Sequence, residues 1–169
     1  MRLNSLFTRS MMTALFTVAA MQTAYAGDFT FSGLFKSDDQ VAIYKFNVTD
    51  AGNPVTLTTT SFANGGFDPI LSLFREADGA FIADNDDISF PNDRDSLISL
   101  NLNPGSYLVA LTQSDNFAVG PNIIDGFIRQ GEGNYTGGPF LDPTAGQRTG
   151  SFGIAFQNVS AAVAAPEPA

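Results

Sequence analysis

The sequence predicts an all-β protein, an antiparallel β-sandwich of jelly-roll type with about eight strands that follow a cleavable signal helix. Apolar and polar residues alternate at period two in segments rich in β-branched and aromatic residues. Gly, Pro, Asn and Asp separate these segments at short intervals. After residue 26, apolar residues do not recur at the i, i+3, i+4, i+7 spacing of an amphipathic helix.

Eight segments carry the strand pattern. In chain order they are 28–33, 40–48, 54–62, 69–74, 80–83, 96–102, 106–113 and 151–159. Asp78-Gly79 predicts a tight turn between the fourth segment and the fifth. The period-two pattern places two sets of side chains on the core face: Ala42, Tyr44, Phe46 and Val48, and Phe152, Ile154 and Phe156.

The segment 114–150 interrupts this rhythm and contains half of the 16 glycines. A loop of this length is usually functional or mobile unless it has structure of its own. In one interpretation Ile123, Ile124, Phe127 and Ile128 form a further strand, and the aromatic residues cover a sheet edge. In the other, the segment is a binding loop that presents its aromatic residues: Phe117, Phe127, Tyr135 and Phe140.

The two termini have their own compositions. Arg2 and Arg9 flank an apolar run at 11–21 that is too short to span a membrane, and Ala24-Tyr25-Ala26 has the small-x-small pattern of a cleavage site. We therefore predict a signal peptide over 1–26, cut after Ala26, and a single domain over 27–159. Residues 160–169 are rich in Ala and Pro and are expected to form a flexible, extended tail.

Charge and composition exclude several functions. Without Arg2 and Arg9 the mature chain has six basic and 17 acidic residues, a net charge of −11 that disfavours nucleic acid. The chain has no Cys and no His, which excludes Ser-His-Asp triads, Cys-His pairs and zinc sites built on these residues. We expect a protein that is not an enzyme, with no transmembrane segment in this chain.

Several motifs resemble the bacterial pre-peptidase C-terminal domain, a β-sandwich attached to secreted proteases and other exported proteins. The similar segments are FDPILSLF (67–74), ADG (77–79), DNDD (84–87), DSLISLNL (95–102) and PGSYLVALT (104–112). These segments have the same order and similar spacing in that domain. The resemblance implies a β-sandwich and export.

The remainder resembles exported proteins of unknown function from bacteria with the PEP-CTERM/exosortase system. The similar segments are 110–121, 125–137 and 147–156, followed by the sorting motif Pro166-Glu167-Pro168. In that family a transmembrane helix and a basic tail follow the motif, whereas only Ala169 follows here. Two alternatives stay open: the sequence is truncated, or the sorting signal is degenerate and the protein is released from the cell. The resemblance implies secretion or cell-surface display by a Gram-negative, exopolysaccharide-producing bacterium. It also implies contact with exosortase-type machinery if that helix exists.

The segment ADNDDISF (83–90) carries the strongest hint of chemistry. It is not an EF-hand, because Ile88 and Ser89 stand where a ligand and a Gly are needed. A hairpin with Phe74 opposite Ala80 places Asp68 opposite Asp86 at the end far from the turn. We therefore predict that five carboxylates converge there: Asp68, Asp84, Asp86, Asp87 and Asp95.

Crowded carboxylates repel one another unless a cation neutralises them, and calcium is the hard divalent ion that suits six to eight oxygen ligands. The alternative is an acidic turn that faces water, with Arg94 and Arg75 as partial counter-charges. No other cofactor is expected.

Three functions are consistent with these features. The first is a non-catalytic structural or adhesion component of the cell surface or extracellular matrix, with extracellular polysaccharide or surface proteins as partners. The second is a carbohydrate-binding module that acts through 114–150. The third is a carboxylate-dependent glycoside hydrolase, for which no two acidic residues stand out.

Overall fold

A computed structural model describes residues 27–166 of the chain. The predicted signal helix, with Ala24 and Ala26, lies outside the described residues, as do Glu167 and Pro168 of the sorting motif. Pro166 is exposed at the end of the described chain. Between residues 27 and 166, no helix is both long enough and apolar enough to cross a bilayer.

Eleven strands form within the described residues, and they include all eight segments that carry the strand pattern. Their bounds are β1 Gly27–Leu34, β2 Ala42–Val48, β3 Val55–Thr59, β4 Pro69–Arg75, β5 Phe81–Asn85, β6 Leu97–Leu100, β7 Gly105–Gln113, β8 Leu141–Asp142, β9 Gly146–Gln147, β10 Ser151–Val159 and β11 Ala161–Ala165.

The strands form two antiparallel sheets and a small ribbon. The first sheet has the order β1-β10-β3-β6, the second has the order β11-β2-β7-β4-β5, and β8 pairs with β9. Except for the β4–β5 hairpin, successive strands from β1 to β7 alternate between the sheets, which is the double-sheet arrangement of a jelly roll. The predicted all-β sandwich is confirmed.

The main core lies between the two sheets and is rich in aromatic side chains. Tyr44, Phe46 and Val48 of β2 face Phe152, Ile154 and Phe156 of β10 across this core, as the period-two pattern predicts. The Phe156 ring lies 5.7 Å from the Phe46 ring and 5.8 Å from the Tyr44 ring, each in an edge-on geometry that aromatic pairs prefer.

A second, smaller core lies on the outer face of the second sheet. Phe74 and Ile43 are buried there beneath Ile123 and Phe127 of the long loop. The predicted strand over 123–128 is wrong, because Ile123–Asp125 forms one 3₁₀ turn that Asn122 caps. The Asn122 side chain accepts a hydrogen bond from the Ile124 N–H, and Ile124 is left 80% exposed.

Buried polar side chains hold the rest of segment 114–150 in place. The Asp38 carboxylate, which is fully buried, accepts hydrogen bonds from the N–H groups of Thr136 (3.0 Å) and Phe140 (2.6 Å). The Asn116 side chain accepts one from the Arg129 N–H (2.8 Å). The long loop is therefore fixed by contacts between distant parts of the chain, which periodicity cannot reveal.

The end of the described chain belongs to the second sheet. Asn158 adopts a left-handed conformation (φ 61°) just before the chain leaves β10. Strand β11 then pairs with β2 in register from Ala161–Asn47 to Ala165–Ile43. Residues 161–165 are thus extended as predicted, but they are an edge strand and not a free tail.

We expect the substitution Phe156→Ala to lower the free energy of unfolding by about 3–5 kcal/mol, because the ring is fully buried between the sheets. Val163→Ala, on an exposed side chain of β11, is the control and should change it by less than about 0.5 kcal/mol. Urea denaturation followed by circular dichroism measures both values. Equal effects of the two substitutions would contradict the assigned core.

Candidate metal centre

Two paired strands of the second sheet, β4 and β5, bring acidic residues together at one end of their hairpin. Asp68 immediately precedes β4, and Asp86 and Asp87 immediately follow β5. One carboxylate oxygen of each residue lies within 4.8 Å of the other two. These three residues form the acidic cluster, and they are three of the five that the sequence predicts to converge.

The hairpin register differs from the prediction, although the cluster forms. Phe74 pairs with Phe81 instead of Ala80, and Ser72 pairs with Asp84, because a bulge shifts the register between Leu73 and Phe74. Asp86 therefore follows the last paired residue and is not cross-strand from Asp68. It comes close to Asp68 through the turn that the chain makes after Asn85.

Hydrogen bonds from Ser96 and Leu97 secure that turn. The Ser96 hydroxyl lies within hydrogen-bond distance of the carbonyl oxygens of Asn85 (2.9 Å) and Asp86 (2.8 Å). The Leu97 N–H donates to the Asn85 side chain (2.7 Å). The turn is thereby held against β6, and the Asp86 and Asp87 side chains stay beside Asp68. No sequence pattern identifies Ser96 for this role.

Each acidic residue of the cluster has an oxygen without a hydrogen-bond donor. Within the described part of the chain, Oδ1 of Asp68, of Asp86 and of Asp87 is buried and accepts no hydrogen bond. Asp68 as a whole is only 5% exposed. A buried acceptor that lacks a partner is costly, and one on each residue of the acidic cluster makes the cluster a candidate cation site.

The electrostatics of the acidic cluster agree with this geometry. Burial and the neighbouring Asp86 charge raise the pKa of Asp68 to about 7. Burial and the charge of Asp87 raise the pKa of Asp86 to about 6. The pKa of Asp87 is also raised, mainly by burial. A bound divalent cation would favour the ionised form of all three carboxyl groups.

Arg94 supplies one counter-charge but leaves the cluster incomplete. Its Nη1 lies 3.1 Å from Asp68 Oδ2 and 2.8 Å from Asp142 Oδ2. The guanidinium carbon lies over the rings of Phe90 (5.2 Å) and Phe62 (5.5 Å), each within cation–π distance. The predicted partial neutralisation by Arg94 is thus present for Asp68. Arg75 instead pairs with Asp78 at the β4–β5 turn.

Asp142 is a partner of Arg94 that the sequence analysis missed. Burial opposes ionisation of Asp142, but hydrogen bonds from Ala145 and Thr144 and the positive charge of Arg94 lower its pKa overall. Its Oδ1 accepts from the N–H groups of Thr144 (2.8 Å) and Ala145 (2.6 Å), the pattern of an Asx turn. The sequence Asp142-Pro143-Thr144 is typical of such a turn, but nothing in it points to Arg94.

Asp95 and Asp84, the other two predicted ligands, do not join the acidic cluster. Asp95 is 3% exposed, and its carboxylate accepts hydrogen bonds from Thr59 Oγ1 (2.9 Å), Phe62 N (3.1 Å) and Ala63 N (2.9 Å). It therefore holds the turn after β3. Asp84 is exposed on β5 and lies outside the acidic cluster. Its charge nevertheless contributes to the raised pKa of Asp86.

A cleft of about 410 Å³ opens beside the acidic cluster, with Asp68 in its wall. The aromatic residues of segment 114–150 contribute little to it, because Phe127 and Phe140 are buried in the two cores. Tyr135 lines the cleft, and its hydroxyl donates to the Ser114 carbonyl oxygen (2.8 Å). Phe90, which the sequence analysis did not select, lines it as well.

Comparisons with protein-family models and with curated proteins found no match. The assignment of the site therefore depends on its geometry and chemistry alone. Arg94 occupies Oδ2 of Asp68, so the three carboxylates offer up to five hard oxygen ligands, and water or an additional ligand would complete the six to eight that calcium takes.

We expect Asp95→Ala to destabilise the protein by about 2–4 kcal/mol, because it leaves two N–H groups and one hydroxyl without their acceptor. The loss should be the same with calcium and with chelator, which thermal unfolding measures. A loss that occurs only in calcium would make Asp95 a ligand after all.

The raised pKa values of the acidic cluster predict an unusual pH dependence for protein stripped of divalent ions. Because Asp68 and Asp86 bind protons more tightly in the folded chain than at their ordinary pKa of 3.8, stability falls as the pH rises towards about 7. The melting temperature should thus be higher at pH 5 than at pH 7.5. Asp86→Asn should reduce this difference. A melting temperature that rises from pH 5 to pH 7.5 would contradict the prediction.

Proposed function

We propose that the protein is an exported, non-catalytic structural or adhesion component in which calcium fixes one end of a β-sandwich. The observation that carries the proposal is the convergence of Asp68, Asp86 and Asp87, each of which also has one buried carboxylate oxygen without a donor in the described chain. Arg94 pairs only with Oδ2 of Asp68, so the acidic cluster still needs positive charge. A divalent cation would supply it.

The ligand set favours calcium over other metals. Carboxylate oxygens are hard ligands, and the chain has neither Cys nor His to offer a softer metal. Magnesium demands near-ideal octahedral geometry at short distances and keeps most of its water, whereas calcium accepts irregular oxygen sites. For an extracellular module, a Kd on the order of 10⁻⁴–10⁻³ M is sufficient.

The extracellular setting is part of the proposal and has separate support. The signal-like leader and the high acidic charge suit an exported protein, and the motif resemblances suit a surface or matrix protein of a Gram-negative bacterium. Polysaccharide or surface proteins would be its partners. Pro166-Glu167-Pro168 would be read by exosortase-type machinery if an apolar helix follows the motif.

The hydrolase alternative has less support from the geometry. Glycoside hydrolases use two carboxyl groups on either side of the scissile bond, about 5–5.5 Å apart in retaining enzymes and further apart in inverting ones. Here three carboxylate oxygens lie within 4.8 Å of one another around one point. That arrangement suits a cation better than it suits an acid and a nucleophile with a sugar between them.

The matched substitutions Asp86→Asn and Asp84→Asn test the calcium site, since each removes one charge and the two residues are only two positions apart. In isothermal titration calorimetry, calcium should bind the wild type and the Asp84 variant alike, and Asp86→Asn should weaken binding at least about tenfold. Calcium at ten times its Kd should raise the wild-type melting temperature by about 3–6 °C.

In chelator the Asp86→Asn variant should be at least as stable as the wild type, because it removes a repulsive charge beside Asp68. Equal melting temperatures of the wild type with calcium and with chelator would exclude a calcium-stabilised domain. Release of reducing ends from an oligosaccharide would instead exclude a non-catalytic role.

A further inference from the structure

The cleft beside the acidic cluster combines an aromatic surface with polar groups. Its wall includes the ring of Phe90, the ring of Tyr135 and the side-chain amide of Gln113, together with Asp68. Its volume of about 410 Å³ falls within the range of small-molecule sites, which is about 300–1,000 Å³. This volume can hold one or two sugar rings and does not suit a folded partner.

Gln113 has an acceptor that the protein leaves without a donor. The residue is 3% exposed, yet its Oε1 accepts no hydrogen bond within the described chain. Buried polar atoms normally have partners, and Gln113 lines the cleft, so a ligand hydroxyl group there can supply the missing donor. Gln113 ends β7 and pairs with Pro69 of β4, so the sheet fixes the Gln113 backbone beside the residue that follows Asp68.

Phe90 provides an aromatic face that is open to solvent. The ring is 68% exposed, whereas most phenylalanine side chains of the two cores are buried. The Arg94 guanidinium supports it at 5.2 Å, and Arg94 is itself fixed by Asp68 and Asp142. A supported, exposed ring next to hydrogen-bonding groups is suited to stack on the C–H face of a pyranose.

The charges in the cleft argue against an anionic ligand. Two basic residues line it, Arg94 and Arg129, and each already has an acidic partner. Asp68, Asp115 and Asp142 lie in the same wall, so the cleft has no excess of positive charge. Uronates, sulfated sugars and phosphates would meet repulsion there, while neutral hydroxyl groups can donate to the carboxylates and to Gln113.

We propose that this cleft is a binding site for a neutral polysaccharide, with Phe90 as the stacking platform and Gln113 as a hydrogen-bond acceptor for a sugar hydroxyl. The inference rests on the proposed function, because it names the partner of the non-catalytic matrix protein. Tyr135 completes the far wall, with one face of its ring covered by Arg129 at 5.3 Å.

The test uses five neutral probes: cellohexaose, laminarihexaose, mannohexaose, xylohexaose and maltohexaose, with hexagalacturonate as the anionic comparison. Full-length mature protein, saturated with calcium, is titrated with each probe and followed by ¹H–¹⁵N NMR. At least one neutral hexaose should bind and shift the amide signals of Ser114 and Thr136, which line the cleft. Phe90→Ala should weaken binding about three- to tenfold, the loss expected for one stacked aromatic ring.

Ile124→Ala is the matched control, because Ile124 is 80% exposed and lies outside the cleft. It should leave sugar binding unchanged. Binding that survives Phe90→Ala, or binding of hexagalacturonate alone, would overturn the proposal, as would the failure of all five neutral probes at millimolar concentration.

Calcium uptake is titrated separately in the absence of sugar. Calcium binding without sugar binding would refute only the cleft assignment. Sugar binding without calcium uptake would refute only the metal centre.

Discussion

Arg94 connects segments that are far apart in the sequence, and the geometry of the site depends on it. Its guanidinium bridges the carboxylates of Asp68, before β4, and Asp142, in β8, and it packs against two aromatic rings. All three charged side chains are buried, so a gap in this network would leave a carboxylate without compensation in a poorly solvated place. The Arg94 guanidinium therefore determines the positions of Asp68, of the Phe90 ring and of the loop that carries Asp142.

The metal centre and the cleft share this framework but have different needs. Asp68 uses Oδ2 for Arg94, while its Oδ1 accepts no hydrogen bond within the described chain, and Asp86 and Asp87 lie beside it. The cleft needs the exposed face of Phe90 and the free oxygen of Gln113. A cation that fixes the turn after β5 would also limit movement of the loop that bears Phe90, so the proposed ion and the proposed sugar would favour the same conformation.

Periodicity predicted the parts of the fold that local sequence determines. The eight strands and the core faces of β2 and β10 follow from alternation, because a half-buried strand must place every second side chain inside. The bulge at Leu73–Phe74 and the 3₁₀ turn at Ile123–Asp125 were missed. The first depends on packing between strands, and the second on the Asn122 cap, which outweighs an apolar pattern of only four residues.

The same distinction applies to the candidate site. The predicted hairpin brought Asp68, Asp86 and Asp87 to the same end although its register was wrong, because the turn after Asn85 returns Asp86 and Asp87 towards Asp68. The hydrogen bonds that engage Asp95 come from the turn after β3, far away in sequence. Asp84, the remaining predicted ligand, lies outside the acidic cluster.

Asp84 is exposed on β5, the edge strand of the second sheet. An edge strand offers unpaired backbone groups to any other chain, and a charged side chain there hinders such pairing. In a protein this rich in strands, that single carboxylate would help to keep neighbouring molecules from joining their sheets and aggregating.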